Sequence, residues 1–103
     1  MQVEADELIH QPLRLRIMAV VNGLPSSQHI EFAQLKAVVE ATDGNLGAHI
    51  STLEKAGYVT VEKVFVNKQP RTRISVTRAG RKAFRQHVAY LQELIESSGV
   101  NGH

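Results

Sequence analysis

Apolar side chains recur along this chain with two different periods, and the change from one to the other divides it. Leu13, Ile17, Val20, Val21 and Leu24 fall on one stripe of a helix, with Arg14 and Arg16 off it. Pro12 suits the first position of that helix, where its missing N–H is not needed, and Asn22-Gly23 followed by Pro25 ends it. Phe32, Leu35, Val38 and Val39 mark a second, shorter helix. After the break Glu40-Ala41-Thr42, the residues Leu46, Ile50 and Leu53 recur at spacings of four and three and predict a third helix, Asp43 to Ala56. Thr42 or Asp43 can accept from its first-turn amides, and Gly57 follows its end. Two helices therefore meet across a tight turn, a helix-turn-helix.

Past Gly57 the period becomes two. Tyr58 to Val66 is rich in Val, Thr, Phe and Tyr, and Arg71 to Val76 alternates Thr72, Ile74 and Val76 against Arg71, Arg73 and Ser75. With Asn67-Lys68-Gln69-Pro70 as the turn, this predicts a β-hairpin with a basic tip. His29-Ile30-Glu31 is a candidate third strand to cover the hairpin edge. Thr77 then caps a last helix from Arg78 to about Ser97, along which Phe84, Val88, Leu91 and Ile95, with Leu94 beside them, resemble a coiled-coil seam. Those five residues predict a dimer interface. The alternative folds this helix back on the first helix of the same chain.

The predicted fold class is therefore α+β: a winged helix-turn-helix with a two- to three-stranded antiparallel wing and a C-terminal dimerisation helix. At 103 residues the chain forms one domain. Residues 1–11 are an arm or short helix held by Leu8 and Ile9, residues 12–97 the winged helix with its last helix over 78–97, and residues 98–103 a disordered tail.

Composition narrows the chemistry. No apolar run approaches the length of a bilayer span, and Glu4, Asp6 and Glu7 leave no basic leader at the start, so a soluble, cytoplasmic protein without membrane contact is expected. The absence of cysteine excludes disulfides and thiolate chemistry. His10, His29, His49, His87 and His103 are scattered without metal-ligand spacing, and neither a nucleophile triad nor a phosphate loop is readable. No enzyme, metal or cofactor is expected, and nothing in the sequence marks an effector site.

The net charge of +2 is small, but its distribution is uneven. From Lys63 to Gln92 lie Lys63, Lys68, Arg71, Arg73, Arg78, Arg81, Lys82 and Arg85 with no carboxylate, the footprint of a polyanion surface beside a helix-turn-helix. Lys68, Arg71 and Arg73, at or beside the hairpin tip, suit phosphate or minor-groove contact, and Arg78 and Arg81 open the last helix at its positive end. On the exposed face of the third helix, Asn45 and His49 lie one turn apart, where Asn can pair with adenine and His can reach a base edge or phosphate. For each of these the plain alternative is an ordinary solvated side chain.

The run T-D-G-N-L-G-A-H-I-S-T-L-E-K-A-G-Y-V from Thr42 to Val59, then Glu62-Lys63, then P-R-T-R-I-S-V-T-R-A-G-R from Pro70 to Arg81, resembles winged-helix transcriptional regulators related to the MarR and ArsR groups. The segment I-H-Q-P-L-R-L-R-I-M at Ile9 to Met18 extends the resemblance, which covers Leu8 to Leu94. It implies a homodimer acting on double-stranded DNA, with a recognition helix matching Asp43 to Ala56 and a wing matching Lys63 to Arg73. Asp43, Gly44, Asn45, Ala48, His49 and Thr52 would then meet DNA from the helix. Lys63, Lys68, Arg71, Arg73 and Arg78 would do so from the wing and the helix after it. One departure stands out: the exposed face of the recognition helix carries Gly44, Asn45, Gly47, Ala48, His49, Ser51 and Thr52 and no arginine. Each helical glycine costs about 1 kcal/mol relative to alanine, so the pair serves either close approach of backbone to phosphate or tight packing of the preceding turn. A winged helix that docks an acidic protein surface without sequence-specific DNA binding is the alternative function.

Overall fold

Burial of one apolar stripe per element builds the core: Ile9, Ile17, Met18, Leu35, Leu46, Leu53 and Ile74 are fully buried against one another. The computed structural model describes residues 4–99. In chain order these form α1 (Glu7–His10), α2 (Pro12–Asn22), β1 (Ile30–Glu31), α3 (Phe32–Val39), α4 (Asp43–Lys55), β2 (Val59–Val66), β3 (Gln69–Val76) and α5 (Arg78–Ser98). The strands make an antiparallel sheet in the order β1-β3-β2, with Ile30 opposite Ile74 and Val61 opposite Ile74 on its other side. This is the α+β winged helix-turn-helix expected, including the third strand.

Local chemistry accounts for the helix boundaries. Thr42 is the cap of α4, its hydroxyl accepting from the Asn45 amide at 3.2 Å. Gly57, at φ 81°, closes the helix as the Tyr58 amide returns to the Leu53 carbonyl at 3.0 Å. A reciprocal Glu31–Gln34 capping box opens α3, which ends on Glu40 in the left-handed region. Val38 departs from expectation: it is 61% exposed, because only the stripe through Leu35 and Val39 turns inward on this eight-residue helix.

The hairpin turn is shorter than predicted. Asn67 and Lys68 alone form it, both at positive φ as a two-residue loop with a primed turn requires, and Gln69 and Pro70 already belong to β3. Pro70 is tolerated in this central strand because β1 pairs only with Arg73 and Ile74, so no neighbour asks for the missing N–H.

The last helix also departs in part from expectation. Its buried positions are Gly80, Ala83 and His87, a stripe of small and polar residues with little apolar periodicity. That stripe lies toward α1 and α2, so the first half of α5 is folded back on its own chain and Phe84 packs against the chain's own core. Val88 and Leu91 are half-buried, while Leu94 and Ile95 are 50% and 45% exposed. Ser98, assigned to the tail, is helical and Gly99 caps it; residues 100–103 of that tail and residues 1–3 of the arm lie outside the described residues.

Polar contacts tie the N-terminal arm down. The Asp6 carboxylate accepts from the amides of Leu8 and Ile9 at 3.0 and 3.1 Å and from the Tyr58 hydroxyl at 2.7 Å. Burial, helped by that carboxylate, pushes the Tyr58 hydroxyl up to about 12. The Asp6 amide donates to Nδ1 of the buried His87 at 3.1 Å, which places the imidazole proton on Nε2, facing His10 Nδ1 at 3.5 Å. The two histidines, 77 positions apart, were scattered only in sequence. Tyr90 stacks on His87 with ring centroids 5.7 Å apart.

Two consequences can be measured. A Cβ on Gly80 would lie 2.1 Å from the Tyr58 carbonyl oxygen and 2.9 Å from Val76 Cγ2, so Gly80→Ala must push backbone apart. Denaturant unfolding should show a loss of roughly 1–3 kcal/mol. Burial, and then His10, hold His87 below its ordinary value of 6.5, with Asp6 opposing them. The unfolded chain therefore takes up the proton first. Stability should be full above the ordinary value and fall as the pH drops through it toward the depressed one. Melting temperatures from pH 8 to 5 should decline less in His87→Gln, which keeps an acceptor for the Asp6 amide but does not titrate.

Candidate nucleic-acid interface

Leu46, Ile50 and Leu53 anchor α4 in the core, which turns the opposite side of the helix outward. Asp43, Gly44, Asn45 and Ala48 are exposed there, and Gly47, His49, Ser51 and Thr52 are half-covered. Among the described residues, nothing beyond the helix's own local backbone and the flanking residues comes within 4 Å of a Cβ built on Gly44 or Gly47, so tight packing of the preceding turn does not explain either glycine. What they leave is bare backbone at the surface. The Thr52 hydroxyl donates back to the Ala48 carbonyl at 3.1 Å, and Asp43 pairs with Lys36 of α3 at 2.9 Å.

His49 is held from behind. The Arg14 guanidinium, itself donating to the Leu8 carbonyl, approaches His49 Nδ1 at 3.0 Å. Because arginine can only donate, Nδ1 must accept, and the imidazole is neutral with its proton on Nε2. Burial first, and Arg14 second, lower its pKa, in keeping with that state. α4 thus offers a fixed N–H donor at this position. Arg14 lies 35 residues from His49, and no spacing rule could have joined them.

Across from α4 stands the wing. An open groove of about 350 Å³ separates them, lined by Phe32, Gly47, Ile50, Ser51, Glu54, Val61, Lys63 and Thr72. Side chains alternate along β2 and β3, so Val61, Lys63 and Phe65 share the groove face with their cross-strand partners Ile74, Thr72 and Pro70. Lys63 is exposed on that face, Lys68 is exposed in the turn, and Phe65 is 78% exposed.

Arg71 and Arg73 are on the other face of the sheet. Arg73 is not at the tip: it lies at the base of the wing, opposite Glu31 on one side and Glu62 on the other, half-buried with its Nε unpartnered among the described residues. Arg71 approaches Glu31 at 3.7 Å. The stretch without carboxylates in sequence therefore has carboxylates beside it in space, supplied by neighbouring strands. Arg78 is exposed at the start of α5, whereas Arg81 is engaged internally, reaching the Asn22 and Leu24 carbonyls at 3.4 Å each and so serving the unpaired end of α2. Among the described residues no group of three or more potential metal ligands occurs, and no helix is long and apolar enough to cross a membrane.

Comparison with known proteins agrees with this geometry. Residues 13–95 match the family described as winged helix DNA-binding domain. An uncharacterised protein of Methanocaldococcus jannaschii is 33% identical over 92 residues, covering 89% of this chain and 94% of that protein. The structure of a transcriptional regulator homologue from Pyrococcus horikoshii OT3 superposes with a TM-score of 0.79 at 29% identity, covering 89% of this chain and 88% of the other. A MarR-family transcriptional regulator from Silicibacter pomeroyi shares the fold, with a TM-score of 0.67 at 14% identity over 93% of this chain and 62% of the longer one. On its sequence and on its architecture, the chain belongs to the family of winged helix DNA-binding domains.

Proposed function

We propose that this protein is a homodimeric transcriptional regulator that lays α4 in the major groove of double-stranded DNA and rests its wing on the backbone or minor groove. The observation that carries this reading is the uncovered side of α4, with bare backbone at Gly44 and Gly47, beside a groove walled by Gly47, Ser51 and Glu54 on the helix and by the exposed Lys63 on the wing. Asn45 suits adenine, and the Nε2 proton of His49 suits a base-edge or phosphate acceptor. Lys63, Lys68 and Arg78 supply phosphate contacts, with Arg71 and Arg73 reaching the backbone only from the far face of the wing. Leu94 and Ile95, left half-exposed near the end of α5, support pairing of two copies there with Val88 and Leu91. Such a dimer would present its two recognition helices to half-sites about 34 Å apart.

The absence of arginine on the α4 face favours, as a second reading, a module that docks an acidic protein. Capture that survives nuclease treatment would support it.

Titration of duplexes selected from genomic fragments is the direct test. Binding should saturate at two chains per duplex and weaken steeply with salt, and Lys63→Ala should reduce the log–log salt slope by about 1. Absence of binding at low salt would reject the proposal. The glycines give a sharper contrast, because Gly47→Ala has room for its methyl in the free protein. It should raise stability by up to about 1 kcal/mol while weakening DNA binding, a pairing that separates close backbone approach from a purely structural role.

A further inference from the structure

Phe65 is a large apolar side chain that the core does not use. It is 78% exposed, on the wing face that looks across the groove toward α4, two positions beyond Lys63. Its cross-strand partner Pro70 is also exposed, so a phenyl ring and a pyrrolidine ring together make a stiff apolar tip. Cations bracket that tip, with Lys63 behind it on the same face and Lys68 in the turn ahead. An apolar wedge between two ammonium groups matches a minor groove, where stacked bases lie between two rails of phosphate.

Resting on the DNA-binding reading above, we propose that Phe65, backed by Pro70, enters the minor groove next to the major groove taken by α4 and unstacks one base step. Lys63 and Lys68 hold the flanking phosphates. Wedges of this kind kink a duplex by tens of degrees, on the order of 20–90°, and favour pyrimidine–purine steps that unstack easily. Sequence preference would then arise partly from deformability, which compensates for a recognition helix with no arginine to read guanine.

The test uses the full chain and short duplexes it selects from a random library, labelled at both ends for energy transfer. Wild type should draw the ends together. Phe65→Ala should abolish most of that bend, weaken binding roughly tenfold and lose the preference for TA and CA steps, whereas Phe65→Leu should keep the bend. Because the ring is exposed, both variants should melt with the wild type. Bending and affinity unchanged in Phe65→Ala would overturn the wedge, as would a loss confined to capture of a protein partner. A wild type that binds duplexes but leaves them straight would sink the wedge alone, and one that binds none at low salt would reject the DNA-binding reading with it.

Discussion

The arrangement depends on how closely the start of α5 lies against the start of β2. Gly80 has no Cβ, and the space one would occupy is filled by the Tyr58 carbonyl, which also accepts from the Thr77 amide at 3.0 Å. The Thr77 hydroxyl donates to the Gly57 carbonyl at 2.6 Å and accepts from the Gly80 amide at 2.9 Å. One junction of a few residues thus joins the end of α4, both strands of the hairpin at its base, and the cap of α5. Through the Tyr58 hydroxyl, Asp6 and His87 the same network continues into the N-terminal arm. A methyl group at residue 80 would force these pieces apart together, which is why we regard this contact as the constraint that sets the angle between helix and wing.

In the DNA-binding reading proposed above, that angle matters because affinity for a duplex is spread over weak contacts that must be made at once. The solvent side of α4 carries no arginine, its first acid, Asp43, is paired to Lys36, and its second, Glu54, is exposed on the groove wall. Cationic reach comes from the wing and from Arg78, so helix and wing must be held in fixed relation for either to be useful. Arg14 adds to this by fixing the tautomer of His49 from behind the helix. The wing arginines are partly offset by Glu31 and Glu62, which leaves the lysines on the groove face and in the turn as its less encumbered cations.

Much of this was legible in the sequence because it is local. The stripe Leu46, Ile50, Leu53 with Thr42 before it and Gly57 after it defines α4 to within one residue, and the alternation along Arg71 to Val76 defines a strand. The family likeness adds the wing as a unit. What could not be read is long-range. His10 meets His87, Arg14 meets His49 and Glu31 meets Arg71 only once the chain is folded. The inward stripe of α5 is Gly80, Ala83 and His87, which carries little apolar signal, so the apolar pattern of this helix does not reveal that partly buried Phe84 also packs against the chain's own core. Pro70 suggests a longer turn in the sequence, although its place beyond the short β1 makes it harmless in a strand.

Amide chemical shifts of the full chain during titration with a selected duplex would test the central claim most directly, because they report every element at once. Perturbations should concentrate at Gly44, Asn45, Ala48 and His49 and along the wing from Lys63 to Lys68, with the Tyr58–Gly80 junction moving little. Perturbations confined to α1 or to the C-terminal turns of α5, with α4 and the wing unmoved at saturation, would contradict it.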